Sequence, residues 1–258
     1  MTGPVIIILD IETAPLEVYS WGLWNVNVGL NQIVTEWSLL SYAYKHLGEK
    51  RVFYEDNRGE ANPRNDYLLL SSLWEVLNGA DIVVAQNGRA FDLKRIYARF
   101  ALLGFPPPSP VRVIDTVLEA RKKFGFTSNK LEWLSKHLTT AKKQQHKKFP
   151  GFELWTECLK NNVAAWNEMK KYNCADVIAT EELYLKLRPW IDKHPNVGTY
   201  VDHEDEMCPK CGCVDLQRRG VTHTNNGAYR RIRCNGCGGW SRARQNLTTK
   251  SKRKALLV

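Results

Sequence analysis

A short apolar run that ends in two acidic residues restricts the fold of this chain more than any other feature. Positions 5 to 9 are apolar throughout, and Asp10-Ile11-Glu12 follows at once. Such a run is typical of a buried strand, and the two-residue period of a strand puts Asp10 and Glu12 on one face. An Asp-x-Glu alone is weak evidence, since most such pairs lie on surfaces. Here, however, two carboxylates at the end of a buried strand lose water and repel each other, so they need a metal ion or another cation.

A second acidic position lies in the last long helical segment. Residues spaced by three and four along it, Met169, Tyr172, Asp176, Ala179 and Leu183, form a single stripe. Asp176 therefore faces the core, where a backbone or arginine contact is the alternative to a metal. Tyr172 lies one turn earlier on the same face, so its hydroxyl can reach what Asp176 holds.

A third acidic position follows an Asn-Gly turn. The sequence from Ala85 to Asp92 predicts a strand that leads through Asn87-Gly88 into a helix opening near Asp92. Taken alone, Asp92 is equally well explained as an acid at the positive end of its helix. Taken together, Asp10, Glu12, Asp92 and Asp176 predict four carboxylates around two Mg²⁺ or Mn²⁺ ions, the arrangement used for in-line displacement at phosphorus.

The order of elements predicts an α/β fold. Three strands form a meander, and helices then alternate with two more strands, which indicates a mixed β-sheet flanked by helices. The predicted strands are Val5 to Ile11, Ser38 to Tyr44, Arg51 to Tyr54, Asp81 to Ala85 and Val111 to Ile114. The predicted helices are Tyr67 to Leu77, Phe91 to Leu103, Thr116 to Lys123, Lys130 to Leu138 and Val163 to Leu187.

The acidic motifs resemble those of a known nuclease family. Asp10-Ile11-Glu12-Thr13, the segment Asn87 to Asp92 and the segment Tyr172 to Asp176 resemble the three motifs of the DEDDy branch of the proofreading-type 3′ to 5′ exonucleases. Ile114-Asp115-Thr116 and the segment Lys130 to Leu134 resemble its accessory positions, so the likeness covers about residues 4 to 190. Lys171 stands where the related DEDDh branch has histidine, which favours the tyrosine branch.

The resemblance implies a ribonuclease-H-like fold and a role for each motif residue. Asp10, Glu12 and Asp176 would hold the ion that binds the attacking water, while Asp10 and Asp92 would hold the second ion. Tyr172 would orient the water. Thr13, Asn87 and Phe91 would line the 3′-terminal nucleotide. Asp115 is expected to be a structural helix cap.

Two cysteine pairs predict a zinc ribbon after the nuclease-like domain. Cys208 and Cys211 form one Cys-x-x-Cys pair, and Cys234 and Cys237 form the other. Four thiolates on two tight knuckles are the usual ligands of one structural Zn²⁺, and the ion has no open position for chemistry. Cys213 is a rival ligand to Cys211, with poorer spacing. The ribbon resembles those of nucleic-acid enzymes, including transposase-type ribbons.

The basic residues are concentrated in this last part of the chain. Residues 207 to 258 contain 12 Lys and Arg against a single acid, Asp215, whereas residues 1 to 206 contain 25 basic and 26 acidic residues. A polyanionic partner is the simplest explanation, and a merely solvated face is the alternative. The exposed arginines of the ribbon, with Tyr229 and Trp240, predict contact with phosphates without strong sequence preference. Lysines at 142, 143, 147 and 148 are expected either to guide a phosphate backbone or to be solvated.

These patterns predict the organisation of the chain and the setting in which it works. The predicted parts are an exonuclease domain (1–194), a linker (195–206), a zinc ribbon (207–244) and a basic tail without regular structure (245–258). The start of the chain lacks the pattern of a signal or membrane helix, and the cysteine pairs favour a reducing compartment, so a cytoplasmic location is expected, in the host if the protein is viral.

The function expected from the sequence is a metal-dependent exonuclease that releases nucleoside monophosphates from a DNA 3′ end. The pairing of a nuclease with a ribbon resembles phage or mobile-element replication proteins. An RNA exonuclease, a structure-selective endonuclease and an inactive nucleic-acid-binding module are the alternatives. Several other residues carry weaker expectations. Trp21, Trp24 and Trp37 are expected in the core more than on bases, and His137 and His146 are expected at the surface.

Overall fold

The computed structural model describes residues 3–143, 146–202 and 204–257. The chain forms two compact units, one of Val5–Tyr184 and the other of Leu185–Val258 with the residues before Val5. The sequence places the corresponding boundary between residues 194 and 207, so the second unit begins before the predicted linker.

The first unit is built on a five-stranded mixed sheet, as the sequence predicts. Its strands are β1 (Ile6–Thr13), β4 (Leu39–His46), β5 (Phe53–Asp56), β6 (Ile82–Ala85) and β7 (Arg112–Asp115), in the order β5-β4-β1-β6-β7. β4 runs antiparallel to β1 and β5, whereas β1, β6 and β7 are parallel. A separate hairpin of β2 (Glu17–Val18) and β3 (Ile33–Thr35) was not predicted.

In the described residues of the first unit, six α-helices accompany the sheet. They are α1 (Tyr67–Asn78), α2 (Asp92–Leu102), α3 (Thr116–Lys123), α4 (Leu131–Leu138), α5 (Glu153–Leu159) and α6 (Val163–Leu187). Five of them lie within two residues of the predicted bounds, and α5 was not predicted. None of the helices in the described parts of the chain is long and apolar enough to cross a membrane.

The sheet is covered on both faces, and two ion pairs fix the helices that carry acidic residues. On one face, Ile7, Leu9 and Ile11 pack with the apolar sides of α1 and α2. The Arg99 guanidinium of α2 lies 2.5 Å from the buried Asp66 carboxylate, which also accepts from the Leu39 amide of β4. On α6, the buried Glu181 pairs with Lys45 of β4. Buried charges need such partners, so these pairs restrict where α2 and α6 lie on the sheet.

The second unit contains a three-stranded antiparallel sheet. Its strands are β8 (Leu216–Thr224), β9 (Gly227–Cys234) and β10 (Trp240–Asn246), in the order β10-β9-β8. The hairpin of β8 and β9 turns at Asn225-Asn226. β10 runs past the predicted ribbon boundary at residue 244, and a short helix α7 (Lys250–Lys254) lies where a tail without regular structure was expected.

Candidate active site

The end of β1 presents two carboxylates on one face. Ile6 and Ile8 are buried on one face of the strand, and Asp10 and Glu12 continue that same face as half-buried residues. Leu9 and Ile11, on the other face, are buried as well. The pairing of β1 with β4 shifts register between Glu12 and Thr13. Such bulges bend a strand and often redirect side chains beside active sites. The predicted side-by-side placement of Asp10 and Glu12 therefore agrees with the strand's geometry.

The third carboxylate is placed by a sharp strand-to-helix turn. After β6, Asn87 takes a left-handed conformation with φ of 66°, which asparagine tolerates better than most residues. A Cβ on Gly88 would lie 2.5 Å from that of Ala85, so only glycine fits this close approach. Asp92 then begins α2, is buried, and accepts a 3.3 Å hydrogen bond from the Ile11 amide of β1.

The fourth carboxylate and the tyrosine come from α6. The predicted stripe faces inward, because Met169, Ala179 and Leu183 are fully buried and Asp176 is nearly so. Between its members, the buried Asn173 donates from Nδ2 to Asp10 Oδ2 at 2.6 Å and to the Asp10 carbonyl at 3.2 Å. Asn173 thus ties α6 to the end of β1, a role that sequence reasoning did not assign. Its one usable signal was an asparagine inside a long helix, where this residue is unfavourable.

The four carboxylates influence one another electrically. Loss of water, followed by repulsion from Asp176, Asp92 and Glu12, raises the pKa of Asp10 well above its usual value. The same two effects, with Asp176 as the main neighbour, raise the pKa of Glu12 to about 8. Burial raises the pKa of Asp92 to about 7, and burial also raises that of Asp176. The structure therefore brings together all four acids predicted from the sequence. Burial and mutual repulsion destabilise their charged forms, and a bound cation would relieve this destabilisation.

A lysine provides part of that positive charge. Lys143 Nζ lies 2.5 Å from Asp176 Oδ2 and 4.7 Å from the centre of the Tyr172 ring. Burial by itself would lower the pKa of Lys143, but the Asp176 carboxylate outweighs it and raises that pKa. The sequence placed Lys143 only among phosphate-guiding or solvated lysines, because no local pattern relates it to Asp176.

The donor set fits divalent metal ions of the Mg²⁺ type. Asp176 Oδ1 is buried and has no hydrogen-bond partner among the described residues, which is costly unless something binds it. The remaining donors are carboxylate oxygens, the hard ligands that Mg²⁺ and Mn²⁺ prefer. One ammonium group does not neutralise four acids, so the residues present suit the two ions expected from the motifs.

Two aromatic residues complete the surroundings of Glu12. Trp155, on α5, donates from Nε1 to Glu12 Oε2 at 3.0 Å. The His146 ring packs edge to face against both Trp155 and Tyr172, at 5.3 and 5.2 Å between ring centres. The expectation that His146 is a surface residue is therefore wrong, since it is half-buried among these rings. No local signal pointed to Trp155, because α5 itself was not predicted.

A cleft of about 550 Å³ opens beside the carboxylates. Asp10, Asp176 and Asn87 line it together with Arg121 and Lys130, among other residues. Asp115 caps α3 by accepting from two of its amides, as expected, and it also accepts from the Asn87 amide.

The other two predicted substrate residues lie near this cleft but not in its lining. Thr13 ends β1, and Phe91 immediately precedes α2 with about a third of its surface exposed. Arg95 lies over the Trp37 ring at 4.2 Å and over the Phe91 ring at 5.6 Å. Among the described residues that line the cleft, neither Thr13 nor Phe91 appears.

The second unit holds a separate cluster of cysteines. The four sulfur atoms all lie within 4.8 Å of one another, and they belong to Cys208, Cys211, Cys234 and Cys237. The Cys211 and Cys234 sulfurs are 3.6 Å apart, and the Cys208 and Cys237 sulfurs are 3.7 Å apart. Four ligands at the usual Zn–S distance of about 2.3 Å on a tetrahedron would lie roughly 3.8 Å apart. Gly212 and Gly238 have φ of 74° and 77°, as tight knuckles require. The cluster thus fits a zinc ion, and Cys213 lies outside it.

Comparison with known proteins agrees with the architecture of the first unit. A family B DNA polymerase from the hyperthermophilic archaeon Pyrobaculum calidifontis is similar in structure, with a TM-score of 0.52 and 16% sequence identity. The match covers 72% of this chain but 25% of the polymerase, so this chain spans about a quarter of that protein's length, and at such identity the likeness concerns the fold alone. No curated protein sequence matches the chain. The family model of the ribonuclease H superfamily matches residues 7–188, which is well over half of the chain. The chain therefore belongs to the ribonuclease H superfamily, and the predicted ribonuclease-H-like fold is confirmed.

Proposed function

We propose that this protein is a two-metal-ion 3′ to 5′ exonuclease of the DEDDy type that acts on DNA 3′ ends. The observation that carries the proposal is the convergence of four carboxylates and Tyr172 from β1, α2 and α6, which interact with one another electrostatically. Two of the carboxylates, Asp10 and Asp176, line an open cleft. Membership of a nuclease superfamily supports hydrolysis of a phosphodiester. The order and spacing of the three motifs support the exonuclease branch.

The carboxylates divide the work of binding metal. Asp10, Glu12 and Asp176 would hold one Mg²⁺ or Mn²⁺ ion, while Asp10 and Asp92 would hold the other. When bound, such ions activate water and stabilise the charge on the attacking and leaving oxygens. Asn173 and Trp155 each occupy one carboxylate oxygen, and they thereby restrict the direction in which Asp10 and Glu12 offer the other.

The remaining residues act on water and substrate. Burial and the neighbouring Asp176 raise the pKa of Tyr172 to about 12, so its hydroxyl keeps its proton and can orient the attacking water. Lys143 offers a positive charge next to the reacting phosphate. Asn87, from its position on the cleft, would contact the terminal nucleotide, and Thr13 and Phe91 would border it.

The second unit would bind zinc and nucleic acid. Its four cysteines would hold one structural Zn²⁺, and its exposed arginines would contact phosphates. Two arginines lie over aromatic rings, Arg242 over Tyr229 at 3.8 Å and Arg231 over Trp240 at 5.0 Å. An exposed basic surface of this kind suits a phosphate backbone, so the proposed contacts position the nucleic acid and do not read its bases.

Digestion of labelled nucleic acids tests this function directly. Single-stranded and duplex DNA and RNA, labelled at the 5′ end, are incubated with Mg²⁺ and the full-length protein, with Asp10→Ala/Asp176→Ala as the inactive variant. Asp202→Asn, a change of an acid in the second unit, is the matched control. A ladder that shortens from the 3′ end of DNA, absent only in the double variant, supports the proposal. Internal cuts would instead identify an endonuclease, a ladder on RNA alone would identify an RNA exonuclease, and tight binding without cleavage would identify a binding module.

A further inference from the structure

An exposed loop joins β2 to β3, and we call its residues 19–32 the tryptophan loop. Trp21 is fully exposed and Trp24 is 87% exposed, although the sequence favoured the core for both. Leu23 and Leu30 in the same loop are about nine-tenths exposed. A set of large apolar side chains that projects into water in this way usually marks a binding surface.

The loop is held in a defined shape. Gln32 accepts from the Gly29 amide at 2.8 Å and donates to the Tyr19 carbonyl at 2.9 Å, which closes the base of the loop. Ser20 exchanges hydrogen bonds with the backbone of Gly22, and this turn precedes Trp24. Two tryptophans on a braced loop lose little conformational freedom when they bind a ligand.

The surface of the loop combines indoles with amides. Trp21 and Trp24 line an open hollow of about 570 Å³ together with Asn25, Asn27 and Asn31. All three asparagines are exposed. An indole face stacks on any base, and an amide pairs with the donors and acceptors of a base edge.

The charge of the loop discriminates between ligands. Residues 16–35 contain one charged residue, Glu17, whose carboxylate lies 2.6 Å from Arg64 Nη2. A lipid surface or a phosphate backbone would favour lysines and arginines here, and there are none. The neutral hollow suits the uncharged part of a nucleic acid, which is its unpaired bases.

We propose that the tryptophan loop stacks unpaired bases of the substrate strand, upstream of the 3′ terminus that the carboxylates receive. The inference rests on the proposed function for the identity of this ligand. It also follows from chain continuity, because β1 carries Asp10 and Glu12 and ends only four residues before β2 begins. Eight residues separate Thr13 from Trp21, so the chain between them spans at most about 28 Å. A single strand whose end lies at the carboxylates can therefore reach the loop.

Binding of oligothymidylate, followed by fluorescence anisotropy, tests the proposal. The Asp10→Ala/Asp176→Ala protein serves as background, so that the strand is not degraded. Adding Trp21→Ala/Trp24→Ala should weaken binding at least about tenfold, because each stacked base contributes substantially to affinity. Trp21→Phe/Trp24→Phe keeps aromatic faces and should retain most of the affinity. Leu23→Ala/Leu30→Ala, an equally exposed apolar pair without rings, is the matched control and should bind like the background.

A strand with abasic positions gives a second readout. Removing bases should weaken binding to the background protein but should change binding to the Trp→Ala pair little. Equal losses in the leucine and tryptophan pairs, or no loss in either, would overturn the stacking site. So would sedimentation showing that the tryptophans join two copies of the chain.

The same variants, made in the active protein, separate this proposal from the proposed function. The Trp→Ala pair should degrade a dinucleotide at the normal rate and a long single strand more slowly. If the protein degrades nothing yet the tryptophans still govern binding, the nuclease proposal fails and the stacking site stands. If the tryptophan pair degrades long strands normally, the stacking site fails and the nuclease proposal stands.

Discussion

At the scale of single residues, the candidate site is dominated by uncompensated negative charge. Asp10, Glu12, Asp92 and Asp176 all have raised pKa values, and Lys143 is the cation placed against Asp176. Changes to the cation and changes to the acids should therefore have separate, measurable effects.

Replacing Lys143 by methionine should reduce hydrolysis. The change removes the charge but keeps most of the side-chain length, so we expect kcat to fall by roughly 10²-fold, as when one electrostatic contact to a transition state is lost. Lys143→Arg should retain part of the rate, and Lys136→Met, on an exposed helix face, is the control. Steady-state rates on a single-stranded substrate measure the effect. An unchanged kcat would mean that Lys143 only neutralises Asp176 while metal is absent.

The raised carboxyl pKa values predict how stability depends on pH. Without Mg²⁺, at pH values between the unfolded-state and folded-state pKa of such a group, the folded protein keeps a proton that the unfolded chain has released. The contribution of these groups to the free energy of unfolding therefore decreases as pH rises. For Glu12, stability should fall as pH rises from its usual pKa of 4.5 to about 8, by an amount on the order of a few kcal/mol. Thermal unfolding in Mg²⁺-free buffer across this range measures the fall.

Added Mg²⁺ should reverse this dependence, because metal ions bind only the ionised carboxylates. Glu12→Gln/Asp176→Asn should make the profile less steep and weaken the response to Mg²⁺, and the remaining dependence should come from Asp10 and Asp92, whose pKa values burial also raises. A wild-type midpoint that rises between pH 5 and pH 8 in the absence of metal would contradict the assignment of raised values.

At the scale of elements, we expect the sheet of β8, β9 and β10 to depend on a bound metal ion more than the α/β unit does. β8 and β9 are largely exposed, and Ile232 is their buried apolar residue apart from the cysteines. A sheet with so little core needs another source of stability, which the four thiolates can supply by binding zinc.

Removing one thiolate should therefore unfold the ribbon. Cys234→Ser is expected to lose the stoichiometric zinc and to expose residues 207–246 to proteases, whereas Cys213→Ser should keep both the ion and the protection. Metal analysis together with limited proteolysis measures both properties. Loss of zinc in the Cys213 variant would show that the ligand set is assigned incorrectly.

At the scale of the whole molecule, the candidate active site and the excess of basic residues lie in different units. The unit of Val5–Tyr184 contains the carboxylates, and the unit that begins at Leu185 contains the basic surface. Phosphate contacts by the second unit should appear as salt dependence of binding, because each contact releases counterions from the nucleic acid.

Neutralising ribbon arginines should flatten that salt dependence. Arg230→Gln/Arg233→Gln/Arg244→Gln should weaken binding and reduce the slope of log K against log salt by roughly 0.7 to 0.9 per lost contact. Hydrolysis of short oligonucleotides should remain. Lys50→Gln/Lys94→Gln/Lys136→Gln removes the same charge from exposed positions of the other unit and should leave the slope nearly unchanged. Equal slopes for both triple variants would assign no special role to the ribbon.

The sequence by itself determined those features that depend on local periodicity and spacing. The two-residue period of β1 and the helical period of α6 placed Asp10, Glu12, Tyr172 and Asp176 on inward faces, because backbone geometry fixes these periods wherever the chain lies. The two Cys-x-x-Cys pairs could also be identified from the sequence, because each is a pattern of four consecutive residues. The assignment of metals, roles and domain boundaries to these residues remains a prediction.

Only the tertiary structure decided which distant residues meet. Lys143 lies 33 positions from Asp176, Trp155 lies 143 from Glu12, and Asn173 lies 163 from Asp10. No period or spacing relates such pairs, because their contact depends on where α5, α6 and Lys143 lie in the folded chain. The same holds for Trp21 and Trp24. Side-chain chemistry favoured the core for both, yet the hairpin of β2 and β3 holds them in water, because burial is a property of the packed chain and not of the residue.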